Sequence, residues 1–200
     1  MRRHTPAYRS LLPLFDELRG ERIVLRPYRL DDAAEAQAAI AESREQIRRF
    51  EDFADEFQTV EEMADRIVHR QARWLLRDEL SMGIWHAQTG RYLGGLGMRP
   101  TPDGGWSVPA FALGYWIRTS EEGNGYMTEA VRHITAYAFD ELSARRVEIR
   151  CDARNVRSAR VARRCGFELE GRLRNIARGT DGTVVDELVF SRTAAGNLLP

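Results

Sequence analysis

The residues best suited to chemistry lie in one segment, residues 115–130, which carries glycines at positions 123 and 125. The segment begins in a predicted strand, passes through a short loop and ends in a predicted helix. Glycine lets the loop turn tightly and leaves no Cβ between the backbone N–H groups and a ligand. The first N–H groups of a helix lack internal partners and carry partial positive charge, so the segment predicts a phosphate cradle built from backbone alone.

Two better-known phosphate motifs do not fit this segment. No Lys-Ser or Lys-Thr pair follows the glycines, which excludes a Walker A loop. The third glycine of a dinucleotide-binding fingerprint is replaced by Thr128, so that motif is incomplete. The Gly-x-Gly pattern alone leaves a phosphate site and an ordinary loop both open.

Composition limits the classes of protein that the chain could be. Its 200 residues, 43% of them hydrophobic, suffice for one domain with a real core but would be cramped for two. Thirty basic and thirty acidic side chains cancel, so we expect no nucleic-acid partner. Every basic residue of this set is Arg, and no lysine is present to be acylated or to form a Schiff base.

Cysteine and histidine usage predicts neither disulfides nor a metal site. Cys151 and Cys165 lie in predicted secondary structure and are expected to be buried, reduced thiols. The four histidines are scattered without ligand spacing. The apolar run at residues 11–15 is too short for a signal peptide, and no run approaches the ~20 apolar residues of a membrane helix. A cytoplasmic protein with no membrane association is expected.

Periodicity and turn residues predict the elements that position this chemistry. Predicted strands cover residues 21–29, 82–87, 92–98, 109–117, 146–151, 167–174 and 183–190, and predicted helices cover 33–40, 42–50, 60–79, 127–140 and 156–164. Thr59 and Glu62 form a capping box before the third helix. Residues 1–20 form an N-terminal extension, either a tail or a short helix on the domain or on a second subunit, which leaves a homodimer open. Residues 21–195 form one mixed α/β or α+β domain.

A second segment completes a recognisable combination. The stretch Gly-x-Gly-Tyr-x-Thr-Glu-Ala from Gly123, with Asn155-x-x-Ser158 and Gly-Phe-x-x-Glu-Gly from Gly166, resembles the GNAT superfamily of N-acetyltransferases. It is most similar to the RimJ/RimL-type branch, which acetylates the N-termini of ribosomal proteins. The resemblance covers residues 21–193 and includes that family's first and fourth strands, at 21–27 and 113–117. It implies a mixed, mostly antiparallel sheet of six to seven strands, flanked by helices and splayed between strands four and five.

The resemblance implies acetyl-coenzyme A as the acyl donor. It places the pyrophosphate on the loop residues Glu122, Gly123, Asn124, Gly125, Tyr126 and Met127. The pantetheine arm is expected beside the backbone of Trp116, Ile117 and Arg118, with Asn155 either orienting its amides or serving only as a helix cap. Arg157 or Arg163 would contact the 3′-phosphate, or belong to a solvated face.

The same resemblance implies direct attack by an amine, without an acyl-enzyme. A backbone N–H near Ile117 would stabilise the oxyanion. The tyrosine that many members use to protonate the thiolate is replaced by Ala162, so the branch's serine, Ser158, becomes the proton donor unless it merely caps its helix. The position of the branch's glutamate base is Ala177, which leaves the general base unidentified.

The absence of an identified general base affects which kind of amine is expected as the acceptor. An α-amine, with a reference pKa of ~7.7–8.0, supplies roughly a hundredfold more neutral form at pH 7 than a lysine at ~10.4. This difference favours a protein N-terminus as the acceptor. A small amine such as an aminoglycoside or polyamine is the alternative acceptor, and an inactive acyl-coenzyme A-binding protein is the alternative function. The acidic stretch at residues 51–56 could attract a cationic acceptor or be an ordinary loop, and the nearby aromatics could line the cleft or simply pack: Phe50, Phe53, Phe57 and Trp106. An acyl group longer than acetyl is also left open.

Overall fold

The computed structural model describes residues 9–102 and 106–194 of the 200-residue chain. Residues 1–8 of the predicted extension, and Gly104 and Gly105 of the predicted loop, lie outside the described residues. The described part contains eight strands: β1 Leu18–Arg19, β2 Ile23–Pro27, β3 Leu80–His86, β4 Tyr92–Pro100, β5 Ala110–Ile117, β6 Arg146–Asp152, β7 Glu168–Arg178 and β8 Val184–Thr193. It also contains four α-helices: α1 Ala33–Ile47, α2 Val60–Leu76, α3 Tyr126–Asp140 and α4 Val156–Arg164.

All eight strands form one sheet in the order β1-β2-β3-β4-β5-β6-β8-β7. Every neighbouring pair is antiparallel except β5 and β6, which are parallel. The predicted fold class, a mixed and mostly antiparallel sheet flanked by helices, is confirmed. The strand count exceeds six to seven because Leu18–Arg19 pairs with β2 at the sheet edge. The family's fourth strand is therefore β5 in this chain.

Side chains alternate between two apolar layers, because successive residues of a strand point to opposite faces. On β2, Ile23 and Leu25 join the layer formed with α3 and α4, while Val24 joins the layer formed with α1 and α2. In the first layer Ile134 of α3 is fully buried, as is Ile40 of α1 in the second. The sheet is thus covered by helices on both faces.

One helix differs from the sequence prediction. Residues 33–40 and 42–50 were expected to form two helical pieces, but α1 runs unbroken through Ile47. The reason is a continuous buried face at helical spacing, made by Ala36, Ile40, Ser43 and Ile47, with no Gly or Pro to interrupt it. The capping box of α2 is confirmed: Glu62 N–H donates to Thr59 Oγ1 at 3.1 Å, and Thr59 N–H donates to Glu62 Oε2 at 2.9 Å.

The described end of the predicted extension packs on the domain. Phe15 contacts the rings of Trp74 and Tyr137 edge-on, with centroid distances of 5.3 and 4.8 Å. These contacts tie the segment before β1 to α2 and α3. No helix in residues 9–102 and 106–194 is both long and apolar enough to cross a membrane.

The sheet opens between its two parallel strands. The ladder of β5 with β6 stops at Leu113 and Ile149, whereas the ladder of β5 with β4 continues without a register shift to Ile117. Residues 114–117 consequently have no strand on their β6 side. This is the predicted splay between the family's fourth and fifth strands, and it leaves a gap whose edges are β5 and α4.

Candidate active site

The loop between β5 and α3 takes the conformation that the two glycines predict. Gly123 and Gly125 adopt φ angles of +80° and +81°, in the left-handed region that glycine alone occupies without strain. A Cβ at residue 123 would meet nothing within 4 Å, so the loop surface there is open to a ligand. Gly125 is the cap residue of α3, and the helix begins at Tyr126.

The backbone N–H groups of this loop are free to bind an anion. Within the described chain, none of the N–H groups of residues 123–128 donates a hydrogen bond, and the first intrahelical bond comes from Glu129 to the Gly125 carbonyl at 3.1 Å. Six consecutive free donors at a helix start form a site for phosphate oxygens. The loop thus has the left-handed glycines and the free N–H donors that a phosphate cradle needs.

Arg22 holds the cradle from outside. Its Nη1 donates to the Asn124 carbonyl at 2.9 Å, and its Nε donates to Glu129 Oε2 at 2.9 Å. The backbone N–H of Arg22 binds the other oxygen of Glu129, also at 2.9 Å. Both oxygens of Glu129 are therefore occupied by Arg22, which directly precedes β2, and this carboxylate is not available for proton transfer.

The turn that precedes the glycines is anchored on α1. Arg118 Nε donates to Glu42 Oε2 at 2.6 Å, the Ser120 N–H donates to Glu42 Oε1 at 3.1 Å, and the Thr119 N–H donates to a serine of the same helix. Burial raises the pKa of Glu42, but the hydrogen bonds from Ser120 and Arg118 outweigh it and lower the pKa to about 2. The Arg118 side chain, a predicted cofactor contact, is therefore occupied by this carboxylate.

The gap beside β5 is a cavity, which we call the β6-side cavity. It brings together six of the predicted site residues: Trp116, Ile117, Glu122, Met127, Asn155 and Ser158. The other predicted residues do not line this cavity. Arg118 lies at the start of the turn that follows β5, and residues 123–126 belong to the adjoining cradle loop. Glu122 is paired with Arg157 of α4 at 2.6 Å, so this arginine ties the loop to α4, while Arg163 lies over the Phe190 ring.

Backbone direction along β5 decides which groups face the gap. The Arg118 N–H donates to the Leu93 carbonyl of β4 at 2.7 Å. Because neighbouring residues in a strand direct their N–H and C=O groups to opposite sides, those of Ile117 and Tyr115 point away from β4 and into the gap. Of the three residues predicted to pair with the pantetheine arm, Ile117 presents its backbone there, and Trp116 and Arg118 bind β4 instead.

Ser158 and Tyr115 form a hydrogen-bonded pair at the end of this cavity. The two hydroxyl oxygens lie 3.1 Å apart. Asn155 caps α4 by accepting the Ser158 N–H at 3.0 Å, so the cap is Asn155 and the Ser158 hydroxyl is left for another role. Burial raises the pKa of Tyr115, although the bond with Ser158 opposes this, so its phenol stays protonated. Tyr115 is a site residue that the sequence reasoning missed.

A second cavity lies across β5, and we call it the α2-side cavity. Its lining includes Tyr28 and Phe53 together with arginines of α2 and β4. Three residues line both cavities: Glu51, Tyr115 and Trp116. The Trp116 ring lies 6.2 Å from Phe53 and 6.0 Å from Tyr92. The two cavities therefore meet at β5, where one molecule entering from each side would be brought together.

Glu51 is the carboxylate at this meeting point. The residue as a whole is exposed, but the cavity walls partly desolvate its carboxyl group, and that desolvation and Asp52 raise its pKa while Arg99 lowers it. A carboxylate with a raised pKa at a cleft junction fits proton acceptance. The sequence showed Glu51 only as one of several acids in residues 51–56; its neighbour Asp55 is paired with Arg48 instead.

The structure also locates the other residues that the sequence analysis considered for the site. Ala162 is fully buried in the core and Ala177 lies on exposed β7, so neither supplies a catalytic group. Phe50 lines the β6-side cavity, whereas Trp106 donates its indole N–H to the Arg77 carbonyl and packs on Phe111 away from both cavities.

Both cysteines are free and buried, as predicted. Burial raises the pKa of each thiol, so neither is suited to act as a nucleophile. In the described ranges, no three His, Cys, Asp or Glu side chains cluster as metal ligands would.

Comparison with known proteins agrees with this architecture. The family model described as an acetyltransferase (GNAT) domain matches residues 22–168. The probable N-acetyltransferase YjcK of Bacillus subtilis (strain 168) is 35% identical over 155 residues, covering 77% of this chain and 84% of that protein. The chain belongs to the GNAT acetyltransferase family and is an acyltransferase.

Solved structures of other acetyltransferases share this fold. RimL, a ribosomal alpha-N-protein acetyltransferase solved in complex with coenzyme A, superposes with a TM-score of 0.78 at 19% identity, covering 87% of this chain and 95% of that one. The microcin self-immunity acetyltransferase MccE, solved in complex with acetyl-CoA and AMP, gives a TM-score of 0.79 at 21% identity, covering 88% and 94%. The fold is therefore one that binds coenzyme A in one of these neighbours and acetyl-CoA in the other.

Proposed function

We propose that the protein transfers an acetyl group from acetyl-coenzyme A to the α-amine of a protein or peptide N-terminus. The observation that carries this proposal is the meeting of two cavities at Glu51, Tyr115 and Trp116. A direct transfer needs the donor and the acceptor to approach one point from opposite sides. The structural likeness to a ribosomal alpha-N-protein acetyltransferase supports a polypeptide acceptor.

The donor binds in the β6-side cavity and the cradle. The N–H groups of residues 123–128 grip the diphosphate, and the free edge of β5 at Tyr115 and Ile117 pairs with the pantetheine amides as an added strand would. When bound, acetyl-coenzyme A supplies the activated acyl group. The Ile117 N–H, which faces the gap, donates to the acyl oxygen as that oxygen gains negative charge.

Proton transfer falls to two groups of this chain. Glu51 accepts the proton that the attacking amine gives up as its nitrogen bonds to the acyl carbon. The Ser158 hydroxyl, which Tyr115 holds by a hydrogen bond at 3.1 Å, donates a proton toward the departing sulfur and regains a proton from solvent. The bond from the acyl carbon to sulfur breaks, and the products are an N-acetylated amine and a free thiol.

A thiol-release assay tests the proposal. The donor is acetyl-coenzyme A, and the acceptors are peptides with free N-termini, the same peptides with a blocked N-terminus and an internal lysine, a polyamine and an aminoglycoside. Release with free N-terminal peptides alone, with mass spectrometry placing the acetyl group on the α-amine, is the expected result.

Each other outcome has a definite meaning. Release with the polyamine or aminoglycoside alone overturns the peptide acceptor and supports a small-amine acetyltransferase. Binding of acetyl-coenzyme A without release above hydrolysis for any acceptor overturns the transferase proposal in favour of a catalytically inactive acyl-coenzyme A-binding protein.

A further inference from the structure

Three guanidinium groups line the α2-side cavity, which the proposed function assigns to the acceptor. Arg66 and Arg70 project from successive turns of α2, and Arg99 projects from β4 on the other wall. Nothing in the sequence distinguishes these arginines from the other basic residues of the chain. Their convergence on one cavity appears only in the folded protein.

None of the three is neutralised by the protein. Across residues 9–102 and 106–194, the side chains of Arg66, Arg70 and Arg99 form no ion pair and no hydrogen bond. The Nε of Arg66 is buried and has no hydrogen-bond partner at all. Arg66 lies 5.6 Å from the Phe57 ring centroid and Arg70 lies 4.8 Å from that of Tyr28, so aromatic faces hold both guanidinium groups without cancelling their charge.

The acidic groups in the same cavity do not balance them. Glu79 accepts from Arg73 at 2.8 Å and from the Ser81 hydroxyl at 2.8 Å, so its charge is already satisfied. Glu51 is the remaining carboxylate, and Arg99 is near enough to lower its pKa without bonding to it. The cavity thus has an excess of unpaired guanidinium donors, which are best satisfied by a carboxylate or another oxyanion.

We infer that the acceptor carries negative charge close to its amine, and that the preferred acceptor is a peptide with Asp or Glu directly after its first residue. This inference rests on the proposed function, because it assigns the α2-side cavity to a peptide N-terminus. Arg66, Arg70 and Arg99 bind the acidic side chains and thereby present the α-amine to Glu51. The arginine cluster selects the acceptor and takes no part in the chemistry.

Matched peptides test this inference. Each begins with alanine and ends in an amide, and the second and third residues are Asp-Asp in one, Asn-Asn in the other. Hydrogen bonds to a charged group contribute about 1.5–3 kcal/mol, so wild-type kcat/KM should favour the Asp-Asp peptide by about tenfold or more. Salt should reduce the advantage, because it screens the charges.

Variants assign the selectivity to the cluster. Arg66→Gln, Arg70→Gln and Arg99→Gln should each shrink the ratio of kcat/KM for the two peptides. Arg19→Gln, an exposed arginine on β1 paired only with Glu17, should keep the wild-type ratio. Melting temperature and acetyl-coenzyme A affinity are measured for every variant, so that a misfolded protein is recognised and replaced by the corresponding Arg→Met change.

The outcomes separate this inference from the proposed function. Equal kcat/KM for the two peptides overturns the inference while leaving N-terminal acetylation intact, and so does a ratio that the cluster variants leave unchanged. Acetylation of free aspartate in preference to its amide, with no peptide accepted, supports an anion-binding cluster but overturns the peptide acceptor. Failure of every acceptor overturns the proposed function itself.

Discussion

Replacing Gly125 by alanine perturbs the cradle at the residue that starts α3. Gly125 has a φ of +81°, and an added Cβ would lie 3.4 Å from Arg22 Nη2, a distance of ordinary contact. Gly125→Ala therefore strains the backbone but creates no steric clash with the rest of the protein. Gly90, in the turn between β3 and β4, gives a matched control, since its φ is +70° and its Cβ would meet nothing within 4 Å.

The size of the effect follows from the backbone. A non-glycine residue in the left-handed region costs roughly 1–2 kcal/mol, so Gly125→Ala and Gly90→Ala should lower the free energy of unfolding by similar amounts. If the strained loop relaxes, at least one N–H group turns away from the diphosphate. One hydrogen bond to a charged group is worth about 1.5–3 kcal/mol, so the affinity for acetyl-coenzyme A should fall roughly ten- to hundredfold in Gly125→Ala alone.

Calorimetric titration and thermal melts measure the two effects separately. Titration gives the Kd for acetyl-coenzyme A, and melts without ligand give the stability loss shared by the two variants. At a ligand concentration of about 100 times the wild-type Kd, the cofactor should stabilise wild type and Gly90→Ala by about 2.7 kcal/mol and Gly125→Ala by clearly less. Wild-type affinity in a folded Gly125→Ala protein would refute the assignment of the cradle.

Five further substitutions probe the chemistry and the fold. Glu51→Gln should lower kcat/KM about 10²–10⁴-fold near pH 7, and a pH–rate profile should show that the deficit persists above pH ~8, because a neutral amine still has to lose a proton as it is acylated. Ser158→Ala should slow turnover while leaving the Kd of acetyl-coenzyme A nearly unchanged, and Tyr115→Phe should do so more weakly; wild-type turnover in both would exclude the pair as proton donor. Phe111→Ala, at a fully buried site, should cost about 3–5 kcal/mol in urea unfolding, and a loss below 1 kcal/mol would contradict the packing described. Because its folded-state pKa is about 2 against 4.5, Glu42 contributes stability that is present above pH 4.5 and lost as the pH falls toward 2; Glu42→Gln should flatten that part of the pH dependence.

The sequence was most informative where local physics decides the structure. Thr59 and Glu62 form the predicted capping box because the two groups are three residues apart and complete each other's hydrogen bonds. The left-handed φ angles of Gly123 and Gly125 follow from residue type in the same way. A strand of two residues is too short to show an alternation of apolar and polar side chains, so β1 was not predicted.

The proposed catalytic groups were harder to predict because they depend on contacts between distant segments. Tyr115 and Ser158 are 43 positions apart and meet only because β5 and α4 border the same gap. In the sequence, Glu51 is one of several acidic residues between positions 51 and 56. Only the folded loop after α1 shows that it lines both cavities. The family pattern helped with the cofactor loop, but it pointed to Ala177 for the base, at a position that cannot provide one.

Amide chemical shifts would test the central claim most directly, namely that free backbone N–H groups at the start of α3 hold the diphosphate of coenzyme A. The measurement is a titration of ¹⁵N-labelled protein with coenzyme A, followed by backbone amide resonances. We expect saturable shifts that are largest for residues 123–128 and for Tyr115 and Ile117 on the free edge of β5. Saturation of the protein with those amides unmoved, or no binding at millimolar coenzyme A, would contradict it.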